Sequence, residues 1–308
     1  MKTHIIVSAL LLILFLAANN CSAQNKQDST IQYRIETIDG NEFIGYILNQ
    51  DSAKINFRTL NKVEISIPRN EIKQLLKLDV QKMKNGKYWF DNPQSSRYFW
   101  APNGYGLKAG EGYYQNVWVL YNQVSVGVTN YFSIGAGIVP LFLFAGTATP
   151  VWVIPKFSIP VVKDKLNLGG GAIVGAVVGA TNSGFGIVFG VSTFGSRDNN
   201  LSLGLGYGYA AGGWAKTPLV NLSGMARIGS RSYFVTDNYF IAFGNKLTAI
   251  FSFGGRSIIK RSAGLDYGLV VPVYSDMGNF FAIPWLGITV PFGNTSQHKK
   301  IQAPQNRL

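Results

Sequence analysis

The sequence predicts an all-β protein: a transmembrane antiparallel β-barrel of about 10 to 12 strands preceded by a small β domain. Three observations predict it. Charged residues form 14% of the 308 positions, against about 25% in ordinary soluble domains, and 35 glycines exceed the usual share of about 7%. Of those glycines, 28 fall between residues 112 and 292, where the acidic residues are Asp164, Asp198, Asp237, Asp266 and Asp276. Within the same region, large apolar residues alternate with small ones at the two-residue period of a strand.

The chain opens with Lys2, an apolar run from Ile5 to Ala18 and a polar stretch ending Cys21-Ser22-Ala23. That layout predicts a secretory signal over 1–23, cut after Ala23. A lipid on Cys21 is the alternative, against which Asn19 and Asn20 stand where a lipoprotein leader carries small residues. Cleavage would remove the single cysteine and with it any disulfide or thiol chemistry.

Residues 24–81 have the mixed charge of a small water-soluble domain. Ile31 to Ile38 and Glu42 to Leu48 alternate around Asp39-Gly40, a type I′ hairpin signal. Lys54 to Leu60 and Val63 to Ile67 continue the pattern until Pro68 stops it. Asn70 to Leu76 reads as a short helical turn capped by Asn70, and Lys77 to Val80 as the closing strand of a bent five-stranded sheet.

The motifs Thr37-Ile38-Asp39-Gly40, Phe43-Ile44-Gly45 and Ile65-Ser66-Ile67-Pro68 resemble Sm-like or SH3-like small barrels. That resemblance implies RNA binding in Sm-like relatives, but export and the lack of an aromatic and basic platform argue against nucleic acid here.

A connector, 82–111, carries Tyr88-Trp89-Phe90 and Tyr98-Phe99-Trp100. Such aromatic clusters suit a membrane interface or a barrel rim, or loop residues packed on the small domain.

From 112 to 292 the barrel reading rests on stripes such as Leu201, Leu203, Leu205 and Tyr207 set against Ser202, Gly204, Gly206 and Gly208. The same arrangement recurs from Val124 to Val128, Phe132 to Ile138, Phe185 to Val191, Leu265 to Val273 and Phe280 to Phe292. The expectation is that the large faces touch lipid and the glycine and serine faces look into a narrow lumen. About ten crossings follow, the first near 115–128. The 232–253 interval is counted once or as a hairpin, and Ser96 to Trp100 is a candidate strand to complete an even number. Membrane helices over Pro140–Pro155 and Leu168–Phe189 are the competing reading, with Gly171, Gly175 and Gly179 at helix-packing spacing. A polar tail, 293–308, follows the last strand.

The inventory of reactive groups is short. His4 lies in the leader and His298 in the tail, which removes a histidine-based triad or zinc site from the core. Leu168-Gly169-Gly170-Gly171 lacks the lysine and hydroxyl residue of a phosphate loop. No catalytic residue, cofactor or metal ligand is therefore assigned.

Asp266 sits on the small-residue face and could pair in the lumen with Arg227 or Arg256, while Arg197-Asp198-Asn199-Asn200 reads as a turn. Arg256, Lys260 and Arg261 could instead meet anionic headgroups. The net charge of +13 and pI near 9.7 suit anionic glycolipids as partners for an exported protein.

Trp285-Leu286-Gly287-Ile288-Thr289-Val290-Pro291-Phe292 is similar to the assembly signal of outer-membrane barrels, through Gly287, Val290 and Phe292. It implies contact with barrel-assembly machinery. From its small domain to this strand, the chain resembles uncharacterised outer-membrane barrel proteins of Bacteroidota, a resemblance that carries no activity. The expected function is a non-enzymatic barrel in the outer membrane of a Gram-negative bacterium, with the small domain in the periplasm and a structural, adhesive or narrow-pore role. An envelope enzyme or small-solute transporter, and a secreted soluble binding protein, are the rival readings.

Overall fold

The computed structural model describes residues 31–79, 82–84, 87–243, 246–259, 263–274 and 280–293. The leader, the tail beyond Gly293, Lys260 and Arg261 lie outside them. The chain divides into two compact units, the first ending at Gln81 and the second beginning at Lys82.

The first unit is one antiparallel sheet of β1 (Gln32–Thr37), β2 (Glu42–Gln50), β3 (Lys54–Thr59), β4 (Glu64–Pro68) and β5 (Ile72–Lys77), in the order β4-β3-β2-β1-β5. Ile35, Ile55 and Phe57 are fully buried at its centre. Burial of this kind contributes roughly 1.5–3 kcal/mol per side chain.

Two expectations are corrected in this unit. In the Asp39-Gly40 hairpin only Gly40 has positive φ, at 89°, and Thr37 pairs with Asn41. The loop is thus the three-residue kind that ends in a left-handed glycine, not a type I′ turn. A 3-10 turn over Arg69–Glu71, without a side-chain cap from Asn70, then delivers the closing strand at Ile72 instead of Lys77.

The second unit begins with a small hairpin of β6 (Met83–Lys84) and β7 (Lys87–Tyr88). Its strands continue as β8 (Glu111–Val117), β9 (Tyr121–Gly127), β10 (Phe132–Ile138), β11 (Thr149–Val162), β12 (Leu166–Val178), β13 (Phe185–Gly195) and β14 (Asn200–Ala210). The short β15 (Gly213–Trp214) follows, then β16 (Leu219–Arg227), β17 (Ser232–Phe243), β18 (Lys246–Ile259), β19 (Ala263–Tyr274) and β20 (Ile283–Gly293). Each long strand pairs antiparallel with its sequence neighbour, and β20 pairs with β8, so twelve strands close into a barrel.

Two of these strands replace the single crossing expected near 115–128, and β17 and β18 divide the 232–253 interval. Ser96 to Trp100 is no strand of the wall. The stretches read as possible helices are strands and the turns between them, apart from the five-residue α1 (Pro140–Phe144); among the described residues no helix is long and apolar enough to cross a membrane.

Side chains alternate across the wall as strand geometry requires. Leu201, Leu203 and Leu205 are 51–55% exposed on the outside, and Ser202 between them is fully buried inside. On β13 the expected orientation is reversed. Phe185, Ile187, Phe189 and Val191 line the interior, and Val188 and Phe194 face out.

Glycine on the flanking strands explains the reversal. Gly171 lies opposite Phe189, Gly175 opposite Phe185 and Gly206 opposite Phe189, so bare backbone receives the large inward groups. A Cβ on Gly175 would stand 2.4 Å from the Phe185 ring.

Replacing Gly171 with Val would put Cβ 2.3 Å from the Pro155 carbonyl oxygen. The expected result is loss of the compact, heat-modifiable band on gels. Gly190→Ala, with nothing within 4 Å of the new methyl, should shift stability by about 0.5 kcal/mol or less in thermal melts.

Candidate functional site: a plugged lumen

The aromatic connector divides: Trp89 and Phe90 lie on the rim against the β16–β17 turn, with Arg227 over Trp89 and the Phe90 amide on the Ser230 carbonyl, whereas Tyr98-Phe99-Trp100 does not. Residues 91–107 enter the barrel and occupy its interior, in the half nearer the end that carries both β8's start and β20's finish. The segment reverses tightly, with the Tyr98 amide donating to the Ala101 carbonyl and the Asn103 amide to the Ser96 carbonyl. Backbone groups placed there have no strand partner, and burying them unpaired would be costly. The wall supplies the partners.

Arg256 and Asp266, opposite each other on β18 and β19, form a two-pronged ion pair with Nε–Oδ1 at 2.6 Å and Nη2–Oδ2 at 2.9 Å. Arg256 is fully buried. Its remaining donors reach the carbonyls of Gln94, Arg97 and Tyr98, with Tyr98 at 2.9 Å. It therefore has no face free for a headgroup, which corrects that expectation.

Arg227 is not part of this pair. It lies at the end of β16, bonded to Asp198 at 2.8 Å and to the Phe90 carbonyl at 2.7 Å, with its guanidinium over the Trp89 and Tyr233 rings. The Arg197 to Asn200 stretch is the β13–β14 turn, and Arg197 also holds the plug through Ser95 Oγ at 2.7 Å.

Two further anchors escaped the sequence reading. On β17, Asp237 accepts the Trp100 and Ala101 amides at 2.8 and 2.9 Å, together with Asn221 and Ser223. On β11, Lys156 donates to the Ser96 and Tyr105 carbonyls at 3.2 and 2.6 Å. The available signal was a lone charge in the middle of an apolar strand, where an outward orientation would be the most costly.

Small polar residues complete the seat. Tyr98 Oη lies 2.6 Å from both Asn200 and Ser202, and the Gly104 amide donates to Thr193 at 2.7 Å. Burial pushes the Tyr98 hydroxyl above the ordinary tyrosine range, so it remains a neutral donor. Gly104 approaches so closely that a Cβ would meet the Asn167 carbonyl oxygen at 2.4 Å.

Beyond the plug, the lumen holds a cavity of about 500 Å³. Its upper wall is apolar, from Trp152, Ile173, Phe185, Ile187, Ile241 and Ile250, and its floor is the plug surface with Arg97 and Trp100, beside Lys156 of β11. Among the described residues no cluster of three or more His, Cys, Asp or Glu could hold a metal ion.

No family model, curated protein or solved structure matches the chain. The assignment of function therefore rests on this geometry.

Removing one member of a buried pair leaves the other charge uncompensated, at a cost of about 3–5 kcal/mol. Asp266→Ala and Arg256→Met should each lower barrel stability by that order in denaturant melts. The double variant should be less destabilised than the two single effects added together.

Proposed function

We propose that this protein is a non-enzymatic outer-membrane barrel of the cell envelope, with its small β domain in the periplasm and its lumen closed by its own connector. The outside of the barrel supports this reading. The charged residues in the described interiors of the strands, Lys156, Asp237, Arg256 and Asp266, are all buried in the lumen. Leu, Val, Phe and Tyr cover the outward faces, including Phe157, Leu168, Val188, Phe234, Phe253, Leu269 and Leu286. An apolar belt around a whole barrel is far larger than the few hundred Å² that a soluble monomer usually exposes. Hydrocarbon is the solvent that such a surface suits.

The helix α1 extends the belt. It follows the seven-residue β10 and exposes Leu141, Phe142, Leu143 and Phe144. An even strand number puts both barrel ends on one side, which supports a periplasmic small domain reached after export by the leader. The strand from Trp285 to Phe292 is the proposed handle for barrel-assembly machinery, and membrane lipids are the proposed partners of the belt. Any headgroup contact rests on Lys260 and Arg261.

The plug favours a closed structural barrel over an open pore. The lumenal carboxylates favour a non-catalytic one: Asp266 is engaged by Arg256, and Asp237 by two amides and two side chains.

Fractionation with detergent extraction tests the membrane assignment. The chain should be recovered with outer membranes and migrate faster unheated than boiled; recovery as a soluble protein without detergent would refute it. Leu203→Arg, on the belt, should cost about 2–4 kcal/mol of folding stability in lipid if it lies near the bilayer midplane. In planar bilayers the native protein should give no steady ion current.

A further inference from the structure

The plugged lumen presents two basic side chains without carboxylate partners. Arg97 borders the cavity, is 4% exposed, and has no hydrogen-bond partner for Nε or Nη2. Its guanidinium lies 5.9 Å from the Tyr113 ring centroid. Lys156, also buried and on the same cavity, spends two donors on backbone carbonyls and retains a third. Among the described residues neither is within ion-pair distance of an acid. The nearby lumenal carboxylate, Asp237, is already held by the Trp100 and Ala101 amides, Asn221 and Ser223.

A buried guanidinium with two donors unmet and no carboxylate beside it is costly unless an anion reaches it. Above it stands an apolar shaft, built by the inward turn of Phe185, Ile187 and Phe189 and the glycines that seat them. A cavity of about 500 Å³ lies within the roughly 300–1,000 Å³ range of small-molecule sites.

We propose that the lumen binds a single-chain aliphatic monoanion, a fatty acid, with its carboxylate on Arg97 and Lys156 and its alkyl chain in the shaft. The Arg97 fork can grip both carboxylate oxygens. The cavity lies on the far side of the plug from the barrel's two chain ends. In the proposed orientation of the barrel, the tail therefore points toward the outer leaflet.

The test is equilibrium binding of radiolabelled hexadecanoate to the full-length protein in nanodiscs, with empty nanodiscs as background. Hexadecanol and octanoate serve as competitors. Saturable, one-to-one binding is expected, with hexadecanoate at least tenfold tighter than hexadecanol. Loss of eight methylenes should leave octanoate more than a hundredfold weaker, since each buried methylene is worth about fourfold.

Arg97→Gln should weaken hexadecanoate far more than hexadecanol and so shrink the preference for acid over alcohol. Ile187→Trp, which fills the shaft, should weaken both. Heat-modifiable mobility checks that each variant folds, and the comparison of acid with alcohol on the native protein stands without any variant. Absence of saturable binding above empty nanodiscs, or equal affinity for acid and alcohol in the native protein, would overturn the proposal. The proposal rests on the membrane reading, which fractionation tests separately: a chain that fractionates with membranes yet shows no saturable binding overturns the ligand and not the barrel.

Discussion

The width of a twelve-stranded ring governs the rest of this structure. Eight strands enclose a space that inward side chains can fill, and sixteen or more leave a water-filled channel. Twelve fall between, and here much of the inner wall on β10, β12 and β14 is glycine or serine. The wall cannot fill its own interior. A stretch of chain from the same unit does so in one half, and the large residues of β13 narrow the other.

Filling a barrel with irregular backbone creates a second demand, because each buried amide and carbonyl needs a partner. The few charges of the barrel region meet it. Arg256 collects carbonyls, Asp237 collects amides and Lys156 collects carbonyls from both limbs of the reversal. The same charges would be costly on an apolar outer face, so one arrangement satisfies both surfaces. The division of the lumen follows from it: polar where the plug is seated, apolar beyond it, with Arg97 at the boundary.

Much of this was legible in the residues. The Leu201 to Tyr209 stripe fixes which face of β14 is greasy, and Asp266 on a small-residue face points to a lumenal partner. What escaped had physical causes. The β8–β9 turn is made by Trp118 and Val119, both at positive φ (51° and 65°), where sequence patterns lead one to expect Gly or Asn. Tertiary contacts hold it: Trp118 Nε1 donates to the Pro284 carbonyl at 2.6 Å, and its ring packs on Trp100 and Trp285.

The reversal of β13 escaped because alternation shows that a strand has two unlike faces but not which one looks inward. Only the glycines across the sheet decide that. The plug escaped because Tyr98-Phe99-Trp100 has the same composition in a lumen as at a membrane interface.

Hydrogen exchange across residues 96–106, followed by mass spectrometry on the folded protein, tests the lumenal plug most directly. The Trp100, Ala101 and Gly104 amides donate to wall side chains. They should exchange as slowly as those of the barrel strands, and faster in Asp237→Asn, which weakens the acceptor for two of them. Exchange of this stretch at the rate of an exposed loop, in a protein whose strands stay protected, would contradict the account.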